Sequence, residues 1–337
     1  MTFRSAHKRA PTFREDRDRL SATLASLGPE GRRMFFDSVK LLIEEIRNED
    51  PDSFSRVSNG HASLDVVLGQ GGLSNVFLCR STHPEIRSAA KVPRHELLTV
   101  RPEGARRCYR NSIAFLAKSV PLDSLHLPLF MAGSADPPFI LTEVVPGSAP
   151  DYYINNRRFD RNPLEASEVL DILSQMATAL SQVHKIITRL SDNDPNEKRG
   201  TVHGDVKPEN YLIAEHPDPR YVEDSEKRVT LIDFDFVASD GLTERRSDGY
   251  VTGTPEYMAP ELFRDAPFTH LSDLYGLGIS YHELLAGTIP FSTLRFLRSK
   301  TRNIRKIFDS FKAAHLEGRL DTLPKDFKSA FKMSGFE

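Results

Sequence analysis

The stretch VHGDVKPEN, residues 202–210, places a carboxylate, an ammonium and a side-chain amide in one short loop. Asp205 is suited to orient a hydroxyl group and to accept its proton. Lys207 can neutralise negative charge on a transferred group, and the amide oxygen of Asn210 can bind a divalent cation. Because an apolar segment follows at 211–213, the loop is expected to lie between packed elements. The stretch therefore predicts a group-transfer site; the alternative is a surface loop that carries these residues by chance.

A second acidic motif, LIDFDF, follows at residues 231–236. Asp233 comes directly after an apolar strand and precedes Phe234, a place from which a carboxylate can bind a metal ion. Together with the amide oxygen of Asn210 it would form a hard ligand set, which suits Mg²⁺. The alternative is that Asp233 only hydrogen-bonds to neighbouring protein groups at the end of the strand and binds no metal.

A glycine cluster interrupts an apolar alternation at residues 64–82, which predicts two strands joined by a turn. Gly69, Gly71 and Gly72 allow the backbone to approach phosphate oxygens closely, although a tight hairpin turn explains them equally well. No GK[ST] follows, so the cluster is not a P-loop. Lys91 ends a third predicted strand and needs an anionic partner if it points inward. An edge-strand lysine that extends to solvent is the alternative.

The organisation of the chain indicates an α+β fold. An extension at 1–60 carries one amphipathic helix over 29–48, which either packs on its own domain or binds a partner. A β-rich domain is predicted at 61–146 and a mainly helical one at 147–337. The junction is expected near Val144–Gly147, where the chain reads Pro-Gly.

Composition bounds the class of protein. The 337 residues carry a formal net charge of −2 and are 39% hydrophobic, enough for a real core. This charge gives no argument for nucleic acid or a membrane surface as a partner, and no apolar run is long enough to span a bilayer. Two cysteines and the absence of a secretory signal suit a reducing compartment, so a cytoplasmic location is expected.

Taken in order, these motifs closely resemble those of the eukaryotic-type Ser/Thr protein kinase family. Several motifs in the right order and at compatible distances are far more specific than any one of them. The resemblance covers residues 64–330 and implies a two-lobe protein kinase-like fold with a small β-rich N-lobe and a larger helical C-lobe. The segments that carry it are GQGGLSNV (69–76), AAK (89–91), HGDVKPEN (203–210), DFD (233–235), GTPEYMAPE (253–261) and SDLYGLG (272–278).

The resemblance implies phosphoryl transfer from ATP with Mg²⁺. Lys91 would hold the α- and β-phosphates, and Asp205 would be the catalytic base with Lys207 beside it. Asn210 and Asp233 would bind the magnesium ion.

Further nucleotide contacts are implied by the same resemblance. The backbone of the glycine-rich loop would cover the phosphates, with the Ser74 hydroxyl able to reach the γ-phosphate. Three apolar side chains would enclose the adenine, two hinge residues would bond to its edge, and Thr142 would be a small gatekeeper. These residues are Gly69, Gln70, Gly71, Gly72, Ser74, Val76, Ala89, Glu143, Val145 and Leu212.

The acceptor is expected to be a serine or threonine hydroxyl of a protein. Lys207, two residues after Asp205, and Thr254 in GTPEYMAPE are typical of the Ser/Thr type. A pseudokinase that only binds nucleotide or serves as a scaffold is one alternative. A small-molecule phosphotransferase of the aminoglycoside or choline kinase type is another, since HGD with DFD resembles those enzymes, but they lack counterparts of Lys207 and GTPEYMAPE.

Two departures from the family pattern lie next to catalytic positions. Gly204 replaces an arginine that pairs with an activation-loop phosphate, so activity is expected not to depend on that phosphate, although Ser247, Tyr250 and Thr252 remain possible phosphorylation sites. Asp235 replaces a glycine, which predicts a left-handed backbone conformation at an aspartate.

Two partners that the family pattern requires are not evident. The helical glutamate that should pair with Lys91 is replaced by Asn111 or Ser112; Glu103 or Glu96 would serve instead, or the pair is absent. No later arginine is evident as the usual ion-pair partner of Glu261, and the helix at 29–48 is a hypothetical substitute.

Overall fold

The chain divides into two compact units. Unit 1 comprises the described residues within Met1–Ile113, Leu122–Gly147 and Ala214–Arg228, and unit 2 those within Ala114–Pro121, Ser148–Ile213 and Val229–Glu337. The sequence-based division differs in three places. The N-terminal helices belong to unit 1, residues 114–120 belong to unit 2, and residues 214–215 and 227–228 belong to unit 1. This computed structural model describes residues 13–46, 56–82, 85–120, 124–159, 164–187, 200–215, 227–241, 253–291 and 303–318, with Leu294, Leu297 and Thr301.

Unit 1 is built on a six-stranded antiparallel sheet with the strand order β1-β2-β3-β4-β6-β5. Alternating apolar residues on both sides of the glycine cluster produce the β2–β3 hairpin, as the sequence predicts. The strands are β1 (Val57–Ser58), β2 (Ala62–Gln70), β3 (Ser74–Thr82), β4 (Glu85–Pro93), β5 (Phe130–Ala135) and β6 (Pro138–Glu143).

Four helices accompany this sheet. They are α1 (Phe13–Ser26), α2 (Gly28–Ile46), α3 (His95–Val100) and α4 (Pro102–Ser119), of which α4 begins in unit 1 and ends in unit 2. The apolar stripe of α2, which includes Val39, Leu42 and Ile43, is buried in one core with Phe77 and Phe139 of the sheet. Each such side chain contributes about 2 kcal/mol of burial free energy, so α2 is an integral part of unit 1.

Unit 2 is mainly helical. Its helices are α5 (Pro150–Phe159), α6 (Ala166–Lys185), α7 (His270–Ala286) and α8 (Ile304–Leu316). Two small sheets pair β7 (Thr201–Val202) with β10 (Ala238–Ser239), and β8 (Tyr211–Glu215) with β9 (Lys227–Leu231). Residues 214–215 of β8 and 227–228 of β9 belong to unit 1. Thr269 caps the N-terminus of α7, and Gly287, at φ 73°, ends it in a left-handed conformation.

Glu261 has a hydrogen-bond partner within unit 2, since its Oε1 accepts from Ser272 Oγ at 2.9 Å. The helix α2, the hypothetical substitute for the usual arginine, is buried against the sheet of unit 1, and its role toward Glu261 stays a prediction.

In the described part of the chain, no helix has the length and apolar composition that crossing a bilayer requires.

Candidate active site

A buried aspartate in the first turn of α7 holds the loop that begins at His203. The backbone N–H groups of His203 and Gly204 donate to Asp273 Oδ2 and Oδ1 at 2.7 and 2.9 Å. His184 Nε2 of α6 lies 2.9 Å from Asp273 Oδ2. Since Asp273 is only 3% exposed, these charge-assisted bonds fix the loop backbone firmly. The sequence analysis assigned no role to Asp273; the signal for it was a carboxylate at the start of an otherwise apolar helix.

Gly204 occupies a conformation that excludes other residues. Its φ is 82°, and a Cβ added there would lie 2.7 Å from the carbonyl oxygen of Phe236 and 3.0 Å from the Phe236 Cβ. An L-residue would meet both a left-handed backbone and a steric clash. The glycine is therefore required by this backbone, whatever its effect on regulation.

Gly204→Ala is expected to lower the free energy of unfolding by about 2 kcal/mol, because the new methyl group must displace backbone. The turnover number should fall as well, since Asp205 is the next residue. Denaturant unfolding and steady-state kinetics measure the two effects. Gly278→Ala is the matched control, because a Cβ at this exposed position of α7 meets nothing within 4 Å. Equal stability of the two variants would contradict the expectation.

Asp205, Lys207 and Thr254 form a closed triangle of hydrogen bonds. Lys207 Nζ donates to Asp205 Oδ2 at 2.7 Å and to Thr254 Oγ1 at 2.9 Å, and Thr254 Oγ1 donates to Asp205 Oδ1 at 2.9 Å. Burial alone lowers the pKa of Lys207, but the neighbouring carboxylates of Asp205 and Glu209 outweigh it and raise the pKa above its ordinary value. Lys207 therefore stays charged, and both oxygens of Asp205 have fixed directions.

Asn210 is tied to the same loop. It ends a 3₁₀ turn that begins at Pro208, it is 4% exposed, and its Nδ2 donates to the carbonyl oxygen of Asp205 at 2.7 Å. With its nitrogen used in this way, the amide oxygen is directed away from that carbonyl. The Asn210 carbonyl accepts from the backbone of Ile232 at 2.7 Å, which links the loop to Asp233. The Asn210 amide and Asp233 carboxylate oxygens are hard donors that fit Mg²⁺.

The strained aspartate of the DFD motif is Asp233, not Asp235. Asp233 has φ 65°, and the left-handed conformation predicted for Asp235 is wrong. The Asp233 side chain accepts from the backbone N–H of Asp235 at 3.2 Å, a local bond of the kind that allows aspartate in this region. Between them, Phe234 packs on His203 and Phe115 with ring centroids 5.4 and 4.7 Å away.

The segment next to Thr254 is supported by a buried histidine. His315 Nε2, from α8, donates to the carbonyl oxygen of Pro255 at 3.0 Å, and the Tyr275 hydroxyl donates to His315 Nδ1 at 2.8 Å. The imidazole packs against Phe291 and Phe263, with centroids 4.5 and 5.3 Å away. Burial lowers the pKa of His315 to about 4, so the neutral ring is the stable form.

Stability should therefore depend on His315 in acid. An unfolded histidine takes up its proton near pH 6.5 but the folded one only near 4, so its contribution, present above pH 6.5, is lost as pH falls to 4. Over that range the difference in unfolding free energy between wild type and His315→Gln should shrink by about 3 kcal/mol. Chemical denaturation at several pH values measures it. A difference that does not change with pH would contradict the assignment.

Glu283 gives an internal control with the opposite sign. Burial raises its pKa to about 7, while the Tyr257 hydroxyl, which donates at 2.5 Å, partly opposes the shift. The stability that Glu283 contributes is fully present below pH 4.5 and is lost as pH rises through 7. The difference between wild type and Glu283→Gln should therefore decrease with rising pH, where that for His315→Gln increases.

The glycine-rich segment of unit 1 is a tight turn between β2 and β3. Gly69 pairs with Val76 and Gln70 with Asn75, and the N–H of Gly71 donates to the Ser74 carbonyl at 2.7 Å. Gly71 and the following Gly72 are exposed. Their backbone is thus accessible to a ligand.

In this structure the Ser74 hydroxyl contacts α4. The residue is 4% exposed, and its hydroxyl lies 3.1 Å from that of Tyr109. Strand alternation places Ser74 on the same face of β3 as Val76, opposite the face that carries the buried side chains of Phe77 and Cys79. The contact of this hydroxyl with the γ-phosphate stays a prediction.

Adjacent strands bring together three of the predicted nucleotide-binding residues. Val76 of β3 lies directly opposite Lys91 of β4, and Ala89 pairs with Thr142 of β6. Leu212, by contrast, lies on β8 in unit 2, and Val145 follows the end of β6.

Each of the two carboxylates proposed for Lys91 is engaged by an arginine. Glu103 accepts from Arg106 at 2.5 Å and Glu96 lies 3.4 Å from Arg94. Both glutamate side chains are about three-quarters exposed, at 74% and 76%. In this structure neither glutamate is a buried carboxylate, as a partner of an inward-pointing Lys91 would be.

The Glu143 side chain is buried at the end of β6, where it meets two arginines that the sequence analysis missed. Glu143 Oε1 lies 2.6 Å from Arg17 Nη2 and 2.6 Å from Arg228 Nη2. Its backbone carbonyl, the group expected at the adenine edge, accepts from the Thr142 hydroxyl at 3.2 Å. No local pattern reveals such a cluster, because its members come from three separate parts of the chain.

Residues 63–333 match the family described as the protein kinase domain. The chain is 30% identical over 235 residues to the Ser/Thr-protein kinase Pkn3 of Myxococcus xanthus, which covers 68% of this chain and 38% of that protein. It is 28% identical over 246 residues to Pkn1 of the same organism, covering 72% and 31%. With PrkC of Bacillus subtilis it shares 27% identity over 255 residues, covering 74% and 35%. The matched region is thus well under half the length of these relatives.

The predicted fold class, α+β with the two-lobe protein kinase-like fold, is confirmed by this match and by the antiparallel sheet of unit 1 and the helices of unit 2. On this evidence the chain belongs to the eukaryotic-type Ser/Thr protein kinase family.

Proposed function

We propose that the protein is a Ser/Thr protein kinase that uses ATP and Mg²⁺ to phosphorylate a protein hydroxyl. The observation that carries this proposal is the hydrogen-bonded triangle of Asp205, Lys207 and Thr254. In this triangle the Asp205 carboxylate has a fixed orientation, and the Lys207 ammonium group stays charged. Proton acceptance and charge neutralisation are what phosphoryl transfer requires of a protein.

In this mechanism Asp205 orients the acceptor hydroxyl and takes its proton as the new oxygen–phosphorus bond forms, while the bond from the γ-phosphorus to the β-phosphate oxygen breaks and ADP leaves. Lys207 balances negative charge on the transferred group, and Thr254 keeps the carboxylate turned for this task. Asn210 and Asp233 would hold Mg²⁺, which when bound offsets phosphate charge.

Residues of unit 1 would hold the nucleotide. Lys91 would contact its phosphates, and the exposed backbone at Gly71 and Gly72 would cover them. Val76 and Ala89, which lie beside Lys91 and Thr142 in the sheet, would contact the adenine.

Incubation with γ-labelled ATP and Mg²⁺ tests the proposal. Label on a generic protein substrate supports it. Label only on a small hydroxylated molecule would instead indicate a phosphotransferase of the aminoglycoside or choline kinase type. Nucleotide binding without transfer would indicate a pseudokinase.

We also propose that activity does not require a phosphate on the activation segment. Gly204 has no side chain to pair with one, and its backbone excludes an arginine without rearrangement. The candidate sites Ser247, Tyr250 and Thr252 lie outside the described residues.

Phosphatase treatment should accordingly leave the turnover number unchanged within about twofold. Mass spectrometry of the treated protein provides the control that segment 242–252 carries no phosphate. A loss of tenfold or more, about the effect of losing a charge-assisted contact, would contradict independence from phosphorylation.

A further inference from the structure

Three charged side chains are buried together at the end of β6. Arg17 of α1, Glu143 and Arg228 are 4%, 5% and 5% exposed, and all three belong to unit 1. Both guanidinium groups lie 2.6 Å from the same carboxylate oxygen, Glu143 Oε1, to which the N–H of Leu129 also donates at 3.1 Å. Charges removed from water need partners of this kind.

Backbone carbonyls of one segment complete the arginine contacts. Arg17 donates to the carbonyls of Ser124 and Leu127, the second at 2.5 Å. Arg228 Nε donates to the carbonyl of Leu125 at 2.9 Å. The cluster therefore ties α1, the segment at 124–129 and the end of β6 to one another.

Arg17 is one of only two buried residues that α1 contributes. The other is Phe13, whose ring centroid lies 5.9 Å from the Arg228 guanidinium. A helix with so little buried apolar surface gains little from hydrophobic packing, so Arg17 and Phe13 determine its place. These two residues therefore anchor α1 to Glu143 at the end of β6 and to Arg228.

A shift at Glu143 would reach the proposed nucleotide site through the sheet. Glu143 pairs with Ser88, and Ile140 of the same strand pairs with Lys91. The backbone N–H of Glu143 also donates to the Leu129 carbonyl at 2.9 Å. Loss of the cluster would thus alter both the strand end and the neighbouring strand that carries Lys91.

We propose that Arg17 is a positioning residue for nucleotide binding: through Glu143 it fixes the β6 end whose backbone would bond to the adenine. The inference rests on the proposed function. Removing Arg17 leaves Glu143 paired with Arg228, one anion with one cation, so the variant keeps a balanced buried pair. The variant loses the bond from Arg17 to Glu143 and the bonds to the carbonyls of Ser124 and Leu127.

The test compares Arg17→Met with Arg19→Met, the same change on the same helix. Arg19 is 70% exposed and lies 3.8 Å from Asp16, a weak surface pair. We expect Arg17→Met to weaken binding of a fluorescent ATP analogue and to raise the KM for ATP by about tenfold, with kcat at saturating ATP unchanged. Arg19→Met should match wild type.

Arg17→Lys decides the matter if Arg17→Met folds poorly, as judged by circular dichroism. Lysine keeps the charge, but its single nitrogen cannot serve Ser124, Leu127 and Glu143 in the arginine geometry. We expect the Kd of Arg17→Lys for the ATP analogue to rise several-fold. If the Kd of this variant, or of a folded Arg17→Met, stays within about twofold of wild type, the proposal is overturned. A wild type that binds the analogue but transfers no phosphate would overturn only the proposed function. A wild type that binds no nucleotide would overturn both.

Discussion

Asp205→Asn is expected to lower kcat by about 10³-fold while nucleotide affinity and stability change little. Asparagine has nearly the size of aspartate but cannot accept the proton of the acceptor hydroxyl. Its amide can still accept from either Lys207 or Thr254, so the loop should keep its shape. Peptide phosphorylation kinetics at saturating ATP measure the loss, and equilibrium binding of an ATP analogue measures the affinity.

Asp240→Asn is a matched control for this prediction. Asp240 is also a partly buried aspartate of unit 2, but its carboxylate accepts from His270 and takes no part in the triangle. Its replacement should leave kcat unchanged. If Asp205→Asn kept more than about a tenth of wild-type kcat, Asp205 would not be the general base.

Lys207→Met is expected to have the second largest effect, a fall in kcat of about 10²-fold. The change removes the charge proposed to balance the transferred phosphoryl group and leaves Asp205 and Thr254 without their shared donor. Lys207→Arg retains a cation and should keep part of the activity, although its planar head cannot reproduce both bonds.

Lys306→Met, at an exposed position of α8, is the control for loss of a lysine as such. Kinetics of both methionine variants at saturating ATP separate a charge effect from a nucleotide-binding effect. Near wild-type kcat for Lys207→Met would show that Lys207 only supports the loop structure.

Much of the candidate catalytic loop was predictable because its residues are close in sequence. Asp205, Lys207 and Asn210 lie within one turn-forming stretch, and the structure connects them directly. The helix predicted at 29–48 is observed at Gly28–Ile46, since apolar periodicity is a local property.

The residues that sequence analysis missed make contacts across long stretches of chain. Asp273 is separated by 70 residues from His203, whose N–H it accepts. Arg17 is separated by 126 residues from Glu143. Asp273 lies within the SDLYGLG segment, but neither Asp273 nor Arg17 indicates its distant partner from sequence, because tertiary packing brings these groups together.

Errors of local detail have a different origin. The strained conformation was assigned to Asp235 because glycine is usual there, whereas the side-chain bond from Asp233 to the Asp235 N–H places the strain two residues earlier. The Ser74 hydroxyl was expected to contact a ligand, and in this structure it lies 3.1 Å from the Tyr109 hydroxyl. In both places the sequence pattern does not specify the torsion angle or the side-chain contact that the structure has.

The most direct test is to incubate wild type and Asp205→Asn in parallel with γ-labelled ATP, Mg²⁺ and a peptide library, and to identify the labelled side chains by mass spectrometry. We predict phosphoserine or phosphothreonine from the wild type and essentially none from the variant. Equal labelling by both proteins, or labelling of tyrosine alone, would contradict the account.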